Sequence, residues 1–157
     1  MEVSVRRATR TDYLTAPRLR GPHGEVGGLR PDRGYFLAEG DGRLLGCVGW
    51  TVENLVARLE DVRLAPVEDG ARGEVLRALL EAVRRAAVEL ECEVVLLALD
   101  ADEGERLGPV LQALGYERRA PEALPRYHRE AALEILQPGQ VLWARRLRER
   151  PVTRPVG

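Results

Sequence analysis

The chain has 157 residues, of which 45% are apolar, enough for one domain with a substantial core and too few for two of ordinary size. Its 24 basic and 25 acidic residues leave a formal charge of −1, so it lacks the broad positive field that would hold nucleic acid or an anionic membrane. The sequence shows neither a charged-then-apolar leader nor an apolar run of membrane-spanning length, and the expectation is a cytoplasmic protein.

In chain order, residues 3–8 alternate apolar and polar as a half-buried strand does, and Thr9 to Asp12 supply helix-start residues for a short helix limited by Pro17. The segment 21–34 holds five glycines and two prolines and reads as a loop. Residues 35–39 and 44–52 are β-prone runs joined by the turn Gly40-Asp41-Gly42-Arg43, a hairpin signal. After the polar break at Glu53 and Asn54, residues 56–64 alternate as a third antiparallel strand that stops at Pro66.

Between Gly73 and Leu90 the apolar residues Val75, Leu76, Leu79, Leu80, Val83, Ala86, Ala87 and Leu90 recur at helical spacing and predict an amphipathic helix. Residues 93–99, EVVLLAL, run apolar from Val94 onward, as a strand covered on both faces does. Gly108-Pro109 is read as opening a helix that Gly115 closes, followed by strand over 116–119, helix over 126–136, a turn at Pro138-Gly139 and a last strand over 141–147. The expected organisation is a single α/β domain over 1–148 with a loose Pro/Arg-rich tail over 149–157.

Few residues advertise chemistry. The chain has no Lys, which removes lysine nucleophiles. Cys47 and Cys92 sit in apolar runs without C-x-x-C spacing and are predicted to be reduced core residues. No metal-ligand spacing or nucleophile elbow occurs, and no metal is expected. His23 in the glycine-rich loop and His128 in the 126–136 helix are single histidines, expected to be solvent-exposed.

The order of these elements resembles the GNAT superfamily of N-acetyltransferases over residues 3–148. VSVRRATRTD is similar to that family's first strand and helix start, and YFLAEGDGRLLGCVGW to its second and third strands. VRLAPVEDGARGEVLRALLEAV lies where the family carries its acetyl-CoA motif, and LGPVLQALGYERR resembles its later helix-to-strand segment. The resemblance implies a GNAT-like α/β fold: a mixed, mostly antiparallel sheet flanked by helices, with a splayed central strand pair.

It further implies acetyl-CoA as cosubstrate, a small-molecule or peptide amine as acceptor, and no nucleic acid or membrane partner; it also admits a homodimer. Pantetheine would lie along Val62 and Leu64 of the fourth strand. The diphosphate would meet backbone amides near Gly70, Ala71, Arg72, Gly73, Glu74 and Val75 at a helix N-terminus.

Two departures from the family pattern stand out. Glu74 and Leu76 occupy the places of the family's loop glycines, leaving Gly70-Ala71-Arg72-Gly73 as a shifted substitute, with Glu68, Asp69 and Glu74 adding like charge. Read from the residues alone, the same stretch is a helix N-terminus with ordinary acidic first-turn residues. Leu111 stands where the family often places a proton-donating Tyr, and it is read as facing the cleft; Tyr116 is read as core.

Glu60 and Asp61 are the candidate general bases. Strand alternation would send them to opposite faces, with Glu60 sharing a face with Val62 and Leu64. The expected activity is therefore acetyl transfer to an amine. The alternative is a GNAT-shaped binding or regulatory module without turnover, and the third is a partner-binding domain that uses its Arg-rich C-terminal segment.

Overall fold

The computed structural model describes residues 2–15 and 30–148. Its centre is a seven-stranded sheet in the order β1-β2-β3-β4-β5-β7-β6. The strands are β1 (Ser4–Arg7), β2 (Arg33–Gly40), β3 (Arg43–Glu53), β4 (Val56–Leu64), β5 (Val94–Asp100), β6 (Glu117–Arg118) and β7 (Gln140–Arg146). Every neighbouring pair is antiparallel except β4–β5, which is parallel. The helices are α1 (Arg10–Thr15), α2 (Asp69–Glu89), α3 (Ala101–Ala113) and α4 (Arg126–Ile135), with a 3-10 turn at Pro121–Ala123.

Turn chemistry fixes the β2–β4 meander. Asp41 and Gly42 both take positive φ (51° and 72°), as do Asn54 and Leu55 (53° and 63°), which gives two-residue turns with the twist that antiparallel strands require. The continuous apolar run Val94–Leu99 is buried throughout because β5 is covered on both faces.

On one face, α2 and α3 press Val75, Leu76, Leu79, Leu80, Leu107 and Leu111 onto Val48, Trp50, Leu59, Leu97 and Trp143. On the other face two smaller clusters form: Tyr13 of α1 with Tyr35, Leu37 and Cys47, and Ala131, Ala132 and Ile135 of α4 with Val56, Leu96 and Leu142. Between α1 and α4, the middle of that second face is the stretch of β3 and β4 around Gly49 and Glu60.

Two helices start earlier than the sequence suggested. α2 opens at Asp69, so Gly70-Ala71-Arg72-Gly73 is its first turn and not a loop. Glu68 in extended conformation is the N-cap residue, and the first helical bond runs from the Arg72 N–H to the Glu68 carbonyl at 3.0 Å. α3 opens at Ala101, with Asp102 and Glu103 in its first turn, where carboxylates complement the helix dipole.

Pro109 therefore lies inside α3 and forgoes one intrahelical hydrogen bond; it does not open the helix. The closing glycine is as expected. Gly115 at φ 92° lets its own N–H reach the Gln112 carbonyl (3.0 Å) and the Tyr116 N–H reach that of Leu111 (2.9 Å), the paired bonds of a Schellman cap.

Cys47 and Cys92 are buried free thiols, and burial pushes the Cys92 thiol up to about 11. Among the described residues no helix is long and apolar enough to cross a membrane.

Candidate functional site: two carboxylates at a strand bulge

Pairing between β4 and β5 covers only Val56–Leu59 against Val94–Leu97. Beyond Leu59, β4 remains paired with β3 and β5 remains paired with β7, so the two parallel strands separate. The expected splay is present, and Glu60 is the first residue of β4 past the last β4–β5 pair.

A bulge sits at the same place. Gly49 pairs with Glu60 and Cys47 with Arg63, which leaves Asp61 and Val62 opposite the single residue Val48. Asp61 absorbs the extra residue at φ 56°. Its carboxylate accepts the Tyr35 hydroxyl at 2.6 Å and the Arg63 Nε–H at 2.7 Å, so side-chain bonds offset a conformation that disfavours non-glycine residues. Burial, and then the bond to Asp61, push the Tyr35 phenol well above its ordinary value.

The bulge overturns the expected alternation. Ala57 and Leu59 face α2, and after the inserted residue so do Val62 and Leu64. Arg58 points to the opposite face, where it pairs with Glu134 of α4, and Glu60 follows two residues on. Glu60 thus does not share a face with Val62 and Leu64. Asp61 reaches the α1–α4 face through Tyr35, so both carboxylates lie on that side of the sheet. A signal for this existed in the sequence: the apolar positions of β4 change parity between Leu59 and Val62.

Tyr35, Gly49 and Glu60 lie side by side across three strands. Because Gly49 carries no side chain, no side chain of β3 stands between Tyr35 and Glu60. A carboxylate beside such a gap, at a strand separation, is placed to receive a proton from a group lying in the gap.

The residues proposed for coenzyme A fall into separate groups. Val62 and Leu64 are half-buried against the α2-side core. Gly70, Ala71, Arg72, Gly73, Glu74 and Val75 are helical, with Val75 buried in the core. A Cβ at Gly73 would come within 3.1 Å of Val110 Cγ2, so this glycine serves the approach of α2 to α3.

The Arg72 guanidinium pairs with Glu103 at the start of α3 and lies 3.9 Å from Asp69, so its charge is already engaged. The feature that remains suited to a diphosphate is the helix start itself. The amides of Asp69, Gly70 and Ala71 precede the first helical donor, Arg72, and no side chain caps them.

Leu111 is fully buried among core residues, so it does not face a cleft; the helix that carries it packs its apolar stripe directly on the sheet. Tyr116 is core, as expected, with its hydroxyl buried and without a hydrogen-bond partner. His23 lies outside the described residues. His128 is only 7% exposed and sits 3.1 Å from Glu93, contrary to the solvent-exposed expectation, because α4 turns that side chain onto the start of β5. No group of three or more potential metal ligands occurs among the described residues.

Strand order, a parallel central pair that parts halfway, a bulge at the parting point and a helix N-terminus after β4 together define a mixed α/β fold with a cleft between its central strands. The solved structures that resemble it make the class specific: the chain has the GNAT N-acetyltransferase fold. A GNAT-family acetyltransferase of Staphylococcus aureus Mu50 superposes with TM-score 0.63 at 12% identity, over 94% of this chain and 100% of that one. The ribosomal-protein-S18-alanine N-acetyltransferase of Escherichia coli gives 0.60 at 14% identity, over 99% and 100%.

N-acetylglutamate synthase of Neisseria gonorrhoeae, solved with coenzyme A and N-acetyl-glutamate, gives 0.62 at 19% identity over 95% of this chain. The chain spans only 36% of that enzyme's length. No protein-family model and no curated protein matches the sequence.

Proposed function

We propose that the chain transfers an acetyl group from acetyl-CoA to an amine. The observation that carries the reading is the coincidence, at one point of the fold, of the β4–β5 parting and two carboxylates on the α1–α4 side of the sheet. The parting leaves a gap for an extended thioester arm, and the free amides of α2 suit a diphosphate, although Glu68, Asp69 and Glu74 oppose it.

In this reading the acceptor amine attacks the thioester carbonyl carbon in a ternary complex. A C–N bond forms, the C–S bond breaks, and the amine proton passes to Glu60. The departing thiolate takes its proton from water, because Leu111 supplies none. Orientation of the two substrates carries most of the rate, so the reaction does not require a covalent intermediate. Asp61, engaged by Tyr35 and Arg63, serves to hold the bulge.

A second reading, a binding module without turnover, is favoured by the engaged Arg72, the acidic first turn of α2 and the buried Leu111. One experiment separates the two. Calorimetry with acetyl-CoA, followed by a screen of amines, is expected to show binding and thiol release; Glu60→Gln should lower turnover about 10²-fold or more and leave acetyl-CoA affinity within about twofold. Binding without turnover on any amine supports the second reading, and no binding at millimolar acetyl-CoA removes the first.

A further inference from the structure

A cavity of about 440 Å³, open on one side, lies away from the carboxylates, where the N-terminus of α4 covers the start of β5 and the end of β7. Val94, in its wall, pairs with Val56, four residues before Glu60 on β4. At about 3.3 Å per residue, the cavity therefore begins roughly 13 Å along the sheet from the candidate acyl-transfer cleft.

Two polar residues in the wall are buried, Glu93 at 4% exposure and His128 at 7%, with His128 Nε2 3.1 Å from Glu93 Oε2. Burying such a pair costs desolvation that apolar residues of the same shape would avoid, so its presence is not explained by stability.

The charge balance of the wall favours an anion by a small margin. Arg119, Arg146 and Arg148 line the cavity against the carboxylates of Glu93 and Glu117, and Glu117 engages Arg119 Nη2 at 2.7 Å on the exposed rim, so Arg148 is the main cationic group. The amides of Arg126, Tyr127 and His128 add the positive end of α4: the first helical bond runs from the Arg129 N–H to the Pro125 carbonyl at 2.8 Å, and no side chain caps the helix. Val94, Leu124 and Ala144 supply an apolar floor.

We propose that this cavity is a second binding site, for a small molecule carrying a carboxylate or phosphate on a compact apolar body. Arg119 and Arg148 meet the oxyanion, and the His128–Glu93 pair fixes the wall against which the body lies. A site of this kind stands whether or not the chain transfers acetyl groups.

The test is a titration of the full chain, followed by NMR or calorimetry, with benzoate and phenyl phosphate as the two oxyanions and benzyl alcohol as the uncharged control. Saturable binding of at least one anion, with none of the alcohol, is expected. The Arg119→Gln/Arg148→Gln variant should weaken it about tenfold or more while its melting temperature stays near that of the parent. Added coenzyme A should leave the anion's affinity unchanged. The proposal is overturned if neither anion saturates by about 10 mM, if the alcohol binds equally well, if the double variant binds with parental affinity, or if coenzyme A displaces the anion.

Discussion

The first turn of α2 decides whether its glycines belong to a helix or to a phosphate loop, and alanine at Gly70 and at Gly73 separates the cases. At Gly70 nothing lies within 4 Å of an added Cβ, and the backbone is helical. Alanine there restricts the unfolded chain without a clash and should stabilise by about 0.4–1 kcal/mol. For a chain of this size that is a melting temperature about 1–4 °C higher.

At Gly73 the same entropic gain meets a Cβ placed 3.1 Å from Val110 Cγ2, inside ordinary contact. That crowding opposes the gain, so Gly73→Ala should stabilise less than Gly70→Ala or lower the melting temperature. Val110→Ala should relieve the Gly73→Ala penalty, with a coupling of at least about 0.5 kcal/mol in a double-mutant cycle. Thermal unfolding followed by circular dichroism measures all four proteins. If Gly70→Ala is destabilising, or if the effect of Gly73→Ala is independent of Val110, the first turn of α2 is not the packed helix described above.

Two further outcomes follow from burial. Leu111→Tyr adds a ring to a fully buried position and should cost about 1–3 kcal/mol with no gain in acetyl transfer, read by urea unfolding and a thiol-release assay; a tolerated tyrosine would return the position to the cleft. Tyr13, Tyr35 and Tyr116 have phenols raised above their ordinary value, chiefly by burial. Their contribution to stability is complete below about pH 10, where the unfolded phenol is still protonated, and is lost as pH rises beyond it. The Cys92 thiol, raised to about 11, adds its own loss as pH passes the unfolded thiol value. The urea midpoint should therefore hold from about pH 7 to 8, begin to fall at about pH 9 and fall more steeply above about pH 10. Tyr116→Phe should reduce that slope, and a midpoint flat to about pH 11 would contradict the burial.

The sheet and its turns were legible because alternation and turn residues carry local information: the hairpin at Asp41-Gly42 and the limits of β4 agree with the structure. Helix starts were less so. Residues 100–106 are largely polar and acidic and show no apolar period, so Pro109 drew the expected start of α3 eight residues too late. The opening turn of α2 contains two glycines, which argue for a loop locally, while tertiary packing on Val110 selects the helix. The His128–Glu93 pair joins residues 35 positions apart, and no spacing rule brings them together.

The bulge is the least legible feature and the one on which the site depends. A single inserted residue bends β4 and shifts its side-chain parity, so the parting from β5, the inward return of Val62 and Leu64 and the convergence of Glu60 with Asp61 all trace to one position. The left-handed conformation of Asp61 costs about 1 kcal/mol or more, and the charge-assisted bonds from Tyr35 and Arg63 offset it.

Substitution at Asp61 can separate the two contributions. Asp61→Asn keeps an acceptor for the Tyr35 hydroxyl and tolerates positive φ, so it should change stability by less than about 1 kcal/mol. Asp61→Ala retains the strain and loses both bonds, and should cost about 2–4 kcal/mol in urea unfolding. Equal effects of the two substitutions would mean that the side-chain bonds do not hold the bulge, and the junction of β4 and β5 would then have to be maintained by the backbone ladder to β3 alone.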